Sequence, residues 1–214
     1  MKKKTLVIVF LAWIMVGFRI YSSSNPWNIS VSAPRLWVKW CATYPVGTND
    51  LDSSDPLFSQ APTFQQVVDS IYNDYNQVPG SYVELYDAAT DPTYNASAGA
   101  EHTIDICLAS LTVLGGKARP TFNGGKIVAC DIVLSPKTIE KLSGFVRTVT
   151  HEIGHCLGFD HPQEITHSVM SYFAPSSFRR LQVDDKMGLV YLYPVDPNSG
   201  KEKSTFGLSC SPSE

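Results

Sequence analysis

The sequence predicts an α+β domain, and three observations predict it. Two separated stretches repeat apolar residues at three- and four-residue intervals, the spacing that gives a helix one apolar face. Short runs rich in aromatic and β-branched residues, bounded by Gly, Pro, Asn and Asp, stand before and between them and suit strands. The chain of 214 residues is 43% apolar and 17% charged, which supplies one sizeable core and leaves little room for a second domain.

Taken in order, Lys2, Lys3 and Lys4 precede an apolar run over residues 6–18, followed by Arg19 and the small cluster Ser22, Ser23 and Ser24. That is the layout of an export signal, and the apolar run is too short to span a bilayer comfortably. Residues 1–24 are therefore expected to be a signal peptide cleaved after Ser24, with an uncleaved membrane anchor as the alternative. Residues 25–194 then form the working domain and 195–214 a polar, loosely attached tail. Residues 35–44 read as a strand and 49–62 as a polar loop. From Thr63, a suitable N-cap, the residues Phe64, Val67, Val68, Ile71, Tyr72 and Tyr75 make the first amphipathic stretch, which Pro79-Gly80 ends. Residues 82–86, Thr103–Leu108 and Lys126–Leu134 read as strands. Between the last two lies a turn-rich loop containing Gly115-Gly116 and Gly124-Gly125. Ser135-Pro136 makes an N-cap and first turn for a second helix, and no internal repeat is apparent.

Charge and hydropathy exclude some functions. Lys and Arg number 17 against 20 Asp and Glu, the sequence pI is near 5.9 and the mean hydropathy is −0.05. Neither the basic footprint of a nucleic-acid binder nor the hydropathy of a polytopic membrane protein is present. Removing residues 1–24 takes away four cations (Lys2, Lys3, Lys4, Arg19) and no anions, so the formal charge moves from −3 to −7. Export makes Cys41, Cys107, Cys130, Cys156 and Cys210 candidates for disulfides, with at least one left unpaired within a monomer. The spacing leaves the pairing open; Cys107 with Cys130 is favoured because both lie in strand-like runs that can be neighbours. No C-x-x-C spacing occurs, so a cysteine zinc site or redox motif has no support.

The second helix carries the chemistry. Placed on a helix over residues 139–157, Leu142, Val146, Val149, Ile153 and Leu157 fall on one stripe, which should face the core. His151 and His155 stand four apart on the other side with Glu152 beside them. Two neutral imidazoles one turn apart can hold a zinc ion, and a neighbouring carboxylate can take a proton from water there. Gly158 lets the chain leave the helix sharply, and His161 follows six residues after His155. The full string H-E-x-x-H-x-x-G-x-x-H should arise by accident in on the order of one chain in 10^5 of this composition.

These residues resemble the metzincin zinc endopeptidases, whose long motif is followed by a methionine-containing turn; here Ser168-Val169-Met170-Ser171-Tyr172 stands at a suitable distance. Leu181, Asp184-Asp185, Gly188 and Leu192-Tyr193 resemble the C-terminal helix of the matrixin branch. The resemblance covers residues 35–194, most strongly 146–193. It implies a twisted mixed sheet packed on an active-site helix and a C-terminal helix, one catalytic zinc on His151, His155 and His161, and Met170 as a hydrophobic floor. Tyr172 departs from the usual matrixin proline and is similar to astacin-like and serralysin-like members, which implies a role beside the metal in holding an oxyanion. No His and Asp cluster supports a second zinc, and structural calcium stays open without residues that support it.

The expected function is a secreted zinc endopeptidase: a monomer acting on proteins or peptides, without nucleic acid, and at a membrane only if the N-terminal segment stays uncleaved. Glu152 is the general base, and the cleft should run along an edge strand around residues 126–132, where substrate adds as a further strand. Residues 173–180 should wall the pocket after the scissile bond, with Arg179 and Arg180 on its rim. His102 and His167 are expected to be ordinary histidines, with His167 near enough to Met170 in sequence to stand behind the metal site. Asp160 is one residue short of a ligand position, and Cys156 is expected to be buried and apolar. Cys41 is a possible ligand of an inactive form. The alternative function is a metal-dependent binding or adhesion module on an inactive metzincin scaffold.

Overall fold

The computed structural model of the protein describes residues 19–20, 25–48, 50, 60–91, 94, 102–111, 115–162 and 166–195. The expected signal segment and tail lie outside the described residues, apart from Arg19, Ile20 and Val195. In chain order the elements are β1 (Arg19–Ile20), β2 (Arg35–Trp40), α1 (Phe64–Asn76), β3 (Glu84–Asp87), β4 (Thr103–Leu108), β5 (Gly116–Asn123) and β6 (Lys126–Leu134). A 3-10 helix (Pro136–Glu140), α2 (Leu142–Cys156), β7 (Phe159–Asp160) and α3 (Val183–Leu192) follow. Among the described residues no helix is long and apolar enough to cross a membrane.

Five strands form a mixed sheet in the order β3-β2-β4-β6-β5. The first four run parallel and β5 returns antiparallel to β6. The expected mixed α+β architecture is therefore present, but one edge differs from expectation. Residues 126–132 belong to β6, which has a neighbour on each side; the edge is β5, which the sequence suggested as a loop. β5 carries Lys117, Arg119, Thr121 and Asn123 facing water and a proline at position 120. An edge strand tolerates a missing amide donor and polar side chains, so its pattern has little hydrophobic signal.

Helix α1 begins at Thr63, whose hydroxyl accepts the Gln66 amide at 3.2 Å while the Gln66 side chain accepts the Thr63 amide at 2.8 Å. Its inner face buries Val67, Val68, Ile71, Tyr72 and Tyr75, and the Tyr75 hydroxyl donates to the carbonyl of Thr150 in α2. In α2 the stripe Leu142, Val146, Val149 and Ile153, continued by Leu157, is at most 1% exposed, as its spacing predicts. The α-helix starts later than Ser135-Pro136 suggests, because those residues open the 3-10 helix. Its first amides are capped from far along the chain: Asp50 accepts Leu142 N–H at 2.8 Å and Ser143 N–H at 3.0 Å. At the other end Trp27 donates to the Cys156 carbonyl at 2.8 Å and Tyr193 to the Leu157 carbonyl at 2.9 Å, so the segment before β2 and the residue that ends α3 both fasten the helix terminus.

The disulfides are Cys41–Cys107 and Cys130–Cys156. The favoured Cys107–Cys130 pair is not formed. Its strands are neighbours, yet Cys130 stands opposite Ile104, three residues before Cys107. An odd offset places the two side chains on opposite faces of the sheet. Cys41 is thereby committed to a bridge, which removes it as a metal ligand, and Cys156 is fully buried but bonded to β6 rather than a free thiol. Cys210 lies outside the described residues.

Candidate metal centre and active site

The chain leaves α2 at Gly158 with φ of 101°, a left-handed conformation that glycine adopts without strain. This reversal lays Phe159–Asp160 back along the helix end and brings His161 opposite His151 and His155. The three Nε2 atoms then lie 3.0, 3.1 and 3.2 Å apart. His151 Nδ1 stands 2.9 Å from the Val169 carbonyl and His155 Nδ1 2.9 Å from the Phe159 carbonyl. A carbonyl only accepts, so each Nδ1 carries the proton and each Nε2 turns a bare lone pair inward. Asp160 is not among the converging atoms; its carboxylate accepts the His161 amide at 2.8 Å.

Three ring nitrogens from separate imidazoles converge at this distance, two of them with their lone pairs turned inward, an arrangement that a cation among them would stabilise. Tetrahedral zinc with nitrogen ligands at about 2.0–2.1 Å sets those nitrogens about 3.3 Å apart, close to the observed separations. The donor set therefore fits zinc. The three imidazoles also hold their protons weakly, each with a pKa of about 4. Burial is the main cause, and the charge of a neighbouring imidazole adds to it.

Glu152 is 6% exposed, and its Oε2 accepts the amide of Ala118 on the β5 edge at 2.7 Å. Burial raises its pKa to about 7, with the Ala118 hydrogen bond opposing the rise. The Ala118 contact is absent from the sequence reading, because it joins residues 34 apart through a backbone amide that carries no side-chain signature.

Met170 is 1% exposed and abuts Gly154 of α2: a methyl group built on Gly154 would fall 2.3 Å from Met170 Sδ. Only glycine admits this approach. The turn that carries Met170 is held by Asp185 of α3, which accepts from the Ser168 hydroxyl and from Val169 N–H at 2.8 Å. Tyr172 follows, 64% exposed, with its ring stacked on His161 at a centroid distance of 3.8 Å and 19° between planes.

His151, His155, His161, Glu152 and Tyr172 all line one cavity of about 470 Å³, which Gly115, the start of β5 (Gly116, Lys117 and Ala118), Ser171 and Tyr172 also line. A somewhat larger cavity of about 520 Å³, around Asn28, Arg35, Glu84 and His102, contains none of these residues. His167 is exposed and hydrogen-bonds Thr166. Arg180 pairs with Asp74 at 2.9 Å, which ties it to α1. In place of the arginine rim expected from residues 179 and 180, the cavity has Arg147 and Lys117.

The family model described as Matrixin matches residues 21–194. No curated protein matches the chain. Among solved structures, one chain of a structure titled "GM1 bound form of the ECX AB5 holotoxin" is similar, with a TM-score of 0.48 and 11% sequence identity, covering 86% of this chain and 91% of that one.

Proposed function

The chain belongs to the matrixin family of metallopeptidases, and on that footing we propose that it is an exported zinc endopeptidase in which Glu152 is the general base. One observation carries the proposal: three imidazole Nε2 atoms converge within 3.2 Å beside a buried carboxylate in a single open cavity. Bound zinc supplies a Lewis acid that polarises a scissile carbonyl and acidifies water.

The protein's own groups do the rest. His151, His155 and His161 hold the ion, with two of the rings oriented by the Val169 and Phe159 carbonyls. Ala118 N–H holds one oxygen of Glu152, which leaves the other to take a proton and return it to the leaving amine. Burial keeps that carboxylate basic enough for both tasks. The Tyr172 hydroxyl donates to the oxygen that gains negative charge, reached from a ring already stacked on His161. Substrate adds as a strand along the exposed edge of β5, where backbone groups outside the β5–β6 ladder are available. A binding module has no use for a buried base held against its metal ligands, so the inactive-scaffold reading lacks a role for Glu152.

Export is part of the same reading. The two disulfides suit an oxidising compartment, and the polar and apolar layout of residues 1–24 suits a signal. Cleavage after Ser24 would remove β1, whose two residues pair with β7.

The test is to purify the exported protein, measure its zinc content and assay it on casein and on internally quenched peptides. One zinc per chain, cleavage abolished by a chelator and cleavage restored by zinc are expected. Zinc-loaded protein that cleaves nothing, or cleavage that persists without metal, would refute the proposal.

A further inference from the structure

The cavity over the three histidines is lined by two cations, Lys117 and Arg147, and by one carboxylate, Glu152, which the proposed reaction uses. That is the reverse of the whole chain, whose formal charge is −3 and becomes −7 without residues 1–24. A cleft of one sign on a protein of the other focuses ligands of opposite charge into it.

Arg147 stands one helical turn before His151 on α2, so both project to the same side. Its Nη2 donates to the Ala174 carbonyl at 3.2 Å, and the side chain lines the same cavity as Ser171 and Tyr172. Among the described residues no carboxylate lies within ion-pair distance of Arg147 or of Lys117. A guanidinium has five donors in a fixed fork that matches a carboxylate, and one bond to a neutral carbonyl leaves most of them available to a ligand in the cavity that Arg147 lines. Arg180 shows the contrast, because Asp74 already occupies it.

The geometry points to a substrate with an acidic side chain, Asp or Glu, inserted into the pocket between β5 and Tyr172, its carboxylate held by Arg147 and attracted by Lys117. This selectivity rests on the endopeptidase reading and names its substrate class. Arg147 supplies the directed bonds; Lys117, exposed on the edge strand, supplies mainly field.

The experiment uses zinc-loaded full-length exported protein and matched quenched peptides that differ only by Glu or Gln at each position around the cleaved bond. At one position kcat/KM for Glu should exceed that for Gln by about tenfold, the range of a charge-assisted hydrogen bond in a half-buried site. The advantage should shrink as salt is raised towards 0.5 M, an ionic strength at which exposed charges are screened within about 4 Å. Arg147→Met should bring the ratio to within about twofold, and Lys117→Gln should lower it by a smaller factor. Because Arg147 also braces Ala174, Lys117→Gln keeps the test valid if Arg147→Met folds poorly. Equal cleavage of Glu and Gln peptides at every position by the unaltered protein, or a ratio untouched in both variants, overturns the acidic preference and leaves the endopeptidase intact. Cleavage of no peptide at all overturns both.

Discussion

Asp185 accepts the backbone N–H of Val169 at 2.8 Å, and Val169 in turn offers its carbonyl to His151 Nδ1 at 2.9 Å. A carboxylate on α3 thus reaches the candidate metal site through one residue of the turn. Asp185 is 2% exposed and also accepts from Ser168 and from the Gln182 amide, so it ties the start of α3 to the turn as well. Burial raises the pKa of its carboxyl, against the pull of those bonds.

Asp185→Asn keeps the shape but leaves one of the donors facing an NH2 group. An unsatisfied buried donor costs about 1–3 kcal/mol, and loss of a group that orients a metal ligand typically weakens metal binding about 10–100-fold. Urea unfolding and zinc competition with a chromogenic chelator should show both effects. Unchanged zinc affinity would mean that Val169 holds His151 without help from α3.

Gly154 and Met170 make a second prediction. Gly154→Ala drives a methyl group into Met170 Sδ and should destabilise the fold by about 1–3 kcal/mol, the usual range for overpacking. Adding Met170→Ala should recover part of that loss, giving a coupling term in a double-mutant cycle of thermal unfolding. Additive effects would contradict the contact.

The pH dependence of the chelator-treated protein follows from the site's protons. His151, His155 and His161 have pKa values of about 4 against an ordinary 6.5. Between those values the unfolded chain binds protons that the folded chain refuses, so stability is lost as pH falls through that window. Glu152, at about 7 against an ordinary 4.5, binds its proton in the folded state first and gains stability over the same fall. Three groups oppose one, and the urea midpoint should drop between pH 7 and pH 5. A midpoint that rises over this interval would contradict the buried, neutral state of the histidines.

What the sequence made legible was local. The α1 N-cap, Thr63, stands directly before its apolar periodic run, the core stripe of α2 lies within one run of residues, and the three ligands within ten positions of one another. What it hid depends on distant pairing. Asp50 caps a helix that begins 92 residues later, and Cys130 meets Cys156 only after β6 is laid against α2. β5 was concealed because its outward residues are polar and its ends carry glycine pairs. The Gly124-Gly125 turn, followed by the apolar run of β6, was the available signal for a hairpin. Missing that strand moved the expected cleft inward by one strand and hid the Ala118 amide that holds Glu152.

The most direct test of the account is peptide cleavage by Glu152→Gln beside the unaltered protein, with zinc content measured in both. The amide keeps the size of the side chain and cannot act as a base. The account predicts one zinc per chain in each protein and kcat/KM reduced by at least about 10²-fold, the low end for loss of a general base. A Glu152→Gln protein that holds zinc and cleaves at an undiminished rate would contradict it.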